Sequence, residues 1–145
     1  MKIVGFNYNK INIERISDSF KNLKINTHLD IEDIKKLEID FLHNDEEILG
    51  IKFKYMINYD PNIAKIEFEG NILITTSPET SKEILKKWKN KEILEEIKIP
   101  VFNNIMRKSS VKALQFQEEM NLPFHIPFPS IKKTDPETDS KNLNK

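Results

Sequence analysis

The residues best suited to acid–base or metal chemistry are three histidines, His28, His43 and His125, and they lie far apart in the chain. His28 and Asp30 share one face of a strand pattern, a spacing that could start a metal site. Such a site needs further ligands, and no other spacing names them, so a solvated strand face is the stronger reading. His43 falls in "FLHNDEE", which reads as a loop between strands. The acidic residues from Asp40 to Glu47 could bind a cation there, but an exposed charged loop explains them better. His125 sits in a proline-rich segment, facing away from its apolar neighbours. The chain has no cysteine, which removes disulfides and thiolate chemistry. Its three glycines, Gly5, Gly50 and Gly70, all fall within strand patterns, so there is no phosphate-cradling loop. No serine occupies a nucleophile-elbow sequence. Without a nameable catalytic constellation, neither enzymatic activity nor a cofactor nor a metal is expected.

Binding chemistry is more visible. "KEILKKWKNK", residues 82–91, is basic with one aromatic residue, the best nucleic-acid signal in the chain. Ile84, Leu85 and Trp88 fit the buried stripe of a helix, however, and lysines commonly fill a solvated outer face, so the bland reading outweighs RNA contact. "NLPFHIPFPSI", residues 121–131, is harder to absorb. It sets Leu122, Phe124, Ile126, Phe128 and Ile131 among Pro123, Pro127 and Pro129. Prolines at that density exclude a helix and the middle of a sheet. One reading is a strap that closes the domain, with prolines reducing the entropy lost on docking. The other is an apolar wall beside a groove, alternate side chains pointing inward.

The elements that must position these residues follow from periodicity. Val4, Phe6 and Tyr8 alternate with Ile3, Gly5 and Asn7, and the pattern resumes out of phase at Ile11 and Ile13, as a bulge would make it. Ile25, Thr27, Leu29 and Ile31 form a second strand, continued after a slip by Leu37, Ile39 and Phe41. In "ILGIKFKYMINY", Leu49, Ile51, Phe53, Tyr55, Ile57 and Tyr59 point one way and polar residues the other. Strict period two with one polar face indicates an antiparallel sheet covered on one side. "YDPN" supplies a turn. A fourth strand carries Ala64, Ile66, Phe68, Ile72 and Ile74, interrupted at Gly70 by a bulge or a close backbone approach. Ser77 and Pro78 start a short helix running to about Lys89. Pro100 opens a longer helix reaching about Met120, with Phe102, Ile105, Met106, Ser109, Ala113, Phe116 and Met120 at helical spacing. The fold class is therefore α+β: a four-stranded antiparallel sheet followed by a short and a long helix.

The totals set outer limits. The chain's 145 residues suffice for one domain, expected over 1–131, with a polar, disordered tail over 132–145. The 23 basic and 23 acidic residues balance, which argues against nucleic acid or an anionic membrane as the main partner. No apolar run approaches the roughly 20 residues a bilayer span needs, and the first ten residues hold no signal peptide. A cytoplasmic protein is the simplest reading. The long third strand and two long sheet edges favour a homo-oligomer, since unpaired edges invite association.

This element order resembles the SecB family of export chaperones, particularly its branch outside the standard bacterial export system. The resemblance is carried by "GIKFKYMINYDPNIAKIEFEGNILI", then "IPVFNNIMRKSSVKALQFQEEMNLP" and "FHIPFPSI", and covers roughly residues 1–131. It implies a tetramer built as a dimer of dimers. It also implies an ATP-independent holdase that keeps non-native polypeptides in apolar surface grooves, for protein export or for control of a toxin–antitoxin pair. In that family the loop after the long helix flanks the groove. The resemblance so assigns client binding to Leu122, Phe124, Ile126 and Phe128, with Phe116 and Met120 from the helix end. The chain departs from the family in two places. It turns polar at Lys132, where the family has a second substantial helix, and it lacks the cysteine-containing zinc segment that meets SecA, so handover to SecA is unsupported. Two other classes remain: an adaptor that binds one folded partner, and a weak RNA-binding module centred on Lys82–Lys91.

Overall fold

The computed structural model describes residues 1–39 and 45–133. Four strands come first: β1 (Lys2–Arg15), β2 (Lys24–Leu37), β3 (Glu47–Asp60) and β4 (Ala64–Thr76). Two helices follow, α1 (Pro78–Trp88) and α2 (Glu95–Glu119). The strands form one antiparallel sheet in the order β1-β4-β3-β2, so β1 and β2 are its two edges. The α+β class and the order of elements are those the periodicity predicts.

Alternation decides the two faces. Tyr59 pairs with Ala64, Ile57 with Ile66, Tyr55 with Phe68, Phe53 with Gly70 and Ile51 with Ile72, which puts the apolar set of both central strands on one side. Phe53, Tyr55, Ile57, Tyr59, Ile66, Phe68, Ile72 and Ile74 are fully buried there beneath the helices. The opposite face is polar. At its centre Glu67 is only 3% exposed and is clasped by Lys54 at 3.0 Å, Lys65 at 3.2 Å and Lys10 at 3.7 Å. Burial alone would raise the Glu67 carboxyl, but hydrogen bonds from Lys54 and Lys65 outweigh it and hold the group below the ordinary carboxylate value.

Register shifts bend the edge strands and correct two readings. β1 slips between Ile3 and Gly5 and again between Tyr8 and Lys10. The first slip turns Val4 out to solvent, leaving Ile3, Phe6 and Tyr8 against the helical side. β2 slips between Ile31 and Asp33, so Ile34 rather than Leu37 continues the buried set. Leu37 falls on the far face and lies across Gly50. Ile39 is past the strand end, and Phe41 and His43 lie outside the described residues. The expected tail from Lys132 is likewise outside them beyond Lys133.

α1 starts as expected: the Ser77 hydroxyl accepts from the Thr80 amide and Pro78 takes the first helical position. α2 starts earlier than expected, and Pro100 lies inside it. An interior proline costs about 3 kcal/mol. Starting at Glu95 lets Leu94 and Ile97 join the core, and each buried side chain of that size returns about 1.5–3 kcal/mol. The two together match or exceed the cost of the proline.

Candidate functional site

The buried residues of α2 are Ile97, Val101, Ile105, Ser109, Ala113 and Gln117, one every fourth position. On a helix of about 3.6 residues per turn, each such step turns the stripe by about 40°. The stripe therefore winds round the helix as it crosses the twisted sheet. Its character also changes: apolar in the first half, small or polar in the second. The second half lies over three tyrosines that rise from the sheet. Tyr8 shares a hydrogen bond with Ser109 at 3.2 Å, Tyr55 one with Ser110 at 3.2 Å, and Tyr59 accepts from the Gln117 amide at 2.7 Å. Burial raises all three phenols, Tyr59 to about 12, so they remain neutral partners.

The end of α2 aims the proline segment. Asn121 takes a left-handed conformation with φ 52°. The Leu122 amide donates back to the Gln117 carbonyl at 2.9 Å and the Asn121 amide to Glu118 at 3.4 Å, a Schellman closure. Arg15, at the end of β1, donates to the Met120 and Asn121 carbonyls at 2.9 and 3.2 Å, placing a cation where the helix dipole is negative. The chain then folds back over the sheet.

From there the segment divides. Its first part is a strap. Leu122 is 5% exposed, inside the cluster formed by Tyr55, Ile57, Tyr59, Ile63 and Ala113. Tyr59 donates to the Pro123 carbonyl. Because its only proton goes there, Tyr59 must accept from Gln117, which fixes the orientation of that amide. His125 closes the network, with Nδ1 at 3.0 Å from the Gln117 nitrogen and Nε2 at 3.3 Å from the Tyr55 hydroxyl. The second part is open. Ile126 is 41% exposed, Phe128 56% and Ile131 fully. Phe124, half-buried, holds the Phe128 ring at 4.9 Å between centroids. Phe116 and Met120 are half-buried against the same cluster.

A cleft of about 690 Å³ continues this line. Leu29, Ile31, Trp88, Ile93 and Phe102 make its apolar lining, with Lys91 and Lys98 among its charged residues. Leu29 pairs with Tyr55 across β2 and β3, and His125 sits on Tyr55, so the strap ends one strand away from the cleft. Lys91 lies 4.5 Å over the Trp88 ring and Lys98 5.5 Å over Phe102. Ile84 is buried beneath α1, while Lys82, Lys86, Lys87 and Lys89 face solvent. Residues 82–88 thus carry the buried stripe and solvated outer face of an ordinary helix, and Lys89 to Lys91 form the turn after it.

The chain is similar in structure to a SecB-like chaperone of Mycobacterium tuberculosis. That chaperone was solved in complex with a ChAD peptide from an antitoxin. The two share 10% sequence identity, with a TM-score of 0.48 over 92% of each chain. Comparison with protein-family models finds no match, and comparison with curated proteins finds none either. Among the described residues no three His, Cys, Asp or Glu side chains gather as a metal site, and no helix is long and apolar enough to cross a membrane.

Periodicity missed Gln117 and the role of His125. A glutamine two residues from a helix end carries no signal of its own, and His125 reads as polar because its partners are distant in sequence. Its burial has a measurable consequence. Desolvation lowers the His125 pKa from its ordinary 6.5, and no carboxylate pairs with it among the described residues. Below that ordinary value the unfolded chain takes up a proton that the folded site resists, so stability falls as pH drops through this window and levels off below the folded pKa. Urea melts between about pH 7.5 and 5 should show this slope for wild type and a shallower one for His125→Asn. Equal slopes would remove His125 from the network.

Proposed function

We propose that the protein is an ATP-independent holdase, binding non-native polypeptide along the line from Phe128 past Tyr55 to the Trp88–Phe102 cleft. The observation that carries this reading is the Phe124–Phe128 pair: its outer ring is more than half exposed, on a segment whose last hydrogen bonds to the body, among the described residues, are those of His125. Apolar side chains offered on proline-stiffened, unpaired backbone supply area without imposing one partner shape. Each large client side chain fully buried there contributes about 1.5–3 kcal/mol. Several weak sites along one line add through multivalency, yet each contact can still release. Phe124, Ile126 and Phe128 are the contact residues, with Phe116 and Met120 flanking them, while Leu122 anchors the strap beneath.

A homo-oligomer, as a dimer of dimers, would lengthen this surface by bringing copies side by side. Light scattering of the purified protein reads that mass directly.

The test is suppression of aggregation of a reduced, unfolded protein. Ile126→Ser combined with Phe128→Ser should weaken client capture at least tenfold, the equivalent of about 1.4 kcal/mol, with melting and oligomer mass unchanged. Undiminished suppression by a folded double variant would defeat the holdase reading.

A further inference from the structure

The ribbon after α2 has a direction, and it leads to the cleft. Its Pro123 carbonyl is held by the Tyr59 hydroxyl and its His125 ring by the Tyr55 hydroxyl, so it advances along β3 toward that strand's start. The same course runs back along α2, from Gln117 to the level of Ser110, which shares the Tyr55 hydroxyl. Beyond Tyr55 on that face comes Phe53, whose β2 neighbour Ile31 lines the Trp88–Phe102 cleft together with Leu29.

The remaining distance is short. Phe102 stands eight residues before Ser110, about 12 Å along the helix. Six residues lead from His125 to Ile131, and Pro127 and Pro129 fall among them. Kept extended by those prolines, the stretch reaches about 19 Å at roughly 3.1 Å per residue. Ile131 is wholly exposed, and an apolar side chain in water within reach of an apolar cleft gains by entering it. Charge agrees. Lys91 and Lys98 lie over the Trp88 and Phe102 rings. The other charges of the lining are the carboxylates of Asp30 and Glu92, and neither forms an ion pair among the described residues. Lys132 and Lys133 follow Ile131 directly, so seating Ile131 brings two ammonium groups to two unmatched carboxylates.

We propose that the end of this ribbon closes over the cleft when no client is bound. Ile131 seats between Trp88 and Phe102, with Lys132 and Lys133 facing Asp30 and Glu92. Phe128 stays outside, paired with Phe124, and remains open to first contact. A client must then displace Ile131, so its apparent affinity falls by the fraction of time the cleft is closed. As a tethered group at high effective concentration, Ile131 returns whenever a client segment leaves. The regulatory role rests on the holdase reading, and the closure rests on geometry and charge.

Trp88 is the only tryptophan of the chain, so its emission reports this cleft alone. Acrylamide quenching of the client-free, full-length protein tests the closure. Ile131→Ser should leave Trp88 more easily quenched and its emission further to the red, with melting unchanged, and Ile131→Leu should restore the wild-type signal. Anisotropy of labelled, reduced and carboxymethylated lactalbumin tests the competition. The serine variant should bind it about two- to tenfold more tightly than wild type. Equal quenching of wild type and Ile131→Ser overturns the proposal, because the cleft would stand open. Trp88 emission that changes on dilution also overturns it, since the seated residue would come from another copy. Unchanged or weaker client binding by Ile131→Ser overturns the competition and makes Ile131 a bystander or a client contact. Absence of capture by every variant defeats the holdase reading, and the Trp88 comparison by itself then upholds or overturns the closure.

Discussion

Gly70→Ala is expected to destabilise the fold by about 3 kcal/mol or more, at the upper end of what overpacking costs. Gly70 lies opposite the second β1 slip, paired with Tyr8 on one side and Phe53 on the other. A Cβ there would drive into the Asn7 carbonyl oxygen and meet the Phe53 ring and the Tyr8 Cα at 3.0 Å. The carbonyl and the Cα belong to backbone held by strand pairing, so neither can swing aside as a side chain would. Tyr8 and Phe53 pack over the bare glycine, 6.2 Å between ring centroids, and the same Tyr8 reaches Ser109 on α2. Displacing β1 therefore disturbs the sheet edge and the seat of the helix together. Gly50→Ala is the control. Its Cβ would meet the far end of the Leu37 side chain at 3.3 Å, which can move, so the change should stay within about 1 kcal/mol. Urea midpoints compare the two, and a Gly70→Ala protein melting like wild type would show that the close approach of β1 and β4 is wrong.

That glycine also marks how far periodicity reaches. A residue that breaks a strand pattern without a turn signal implies a bulge or a close contact; Gly70 proves to be the close contact, and the bulge lies opposite it in β1. The strict alternation of β3 was readable because every second residue from Leu49 to Tyr59 is apolar and buried, while Lys52, Lys54 and Asn58 lie on the other face. The edge strands were readable only to within a slip. A bulge moves one residue between faces without changing composition, which is how Val4 and Leu37 were misplaced. The start of α2 was obscured by Pro100, whose usual place is a first turn, because tertiary burial of Leu94 and Ile97 outweighs a local preference.

The candidate site was legible as an anomaly, not as a geometry. Prolines among phenylalanines announce an extended apolar ribbon, but nothing in that spacing says which side chains go down. The choice between strap and wall is made by Tyr59 and Gln117, which are remote in sequence from the ribbon or silent in its pattern. The ribbon divides: Leu122 to His125 strap the domain, and Ile126, Phe128 and Ile131 are exposed.

That division predicts a contrast within one segment. Leu122→Ala should cost about 2–5 kcal/mol, the range for deleting a buried leucine from a packed core, because its side chain sits beneath α2 among Tyr59, Ile63 and Ala113. Phe128→Ala, six residues on but mostly exposed, should change stability by less than about 0.5 kcal/mol. Tyr59→Phe falls between: it strips the donor from the Pro123 carbonyl and the acceptor from Gln117, leaving buried groups unsatisfied at about 1–3 kcal/mol. Client capture should rank differently. Phe128→Ala removes a contact while leaving the ribbon in place, so it should weaken capture without altering the melt. Tyr59→Phe keeps every contact residue but loosens their anchor, so capture should fall only as far as the ribbon loses its position beside the cleft. Equal stability costs for Leu122→Ala and Phe128→Ala would mean the ribbon is wholly strap or wholly free, and the open half would no longer be a surface held in place by the buried one.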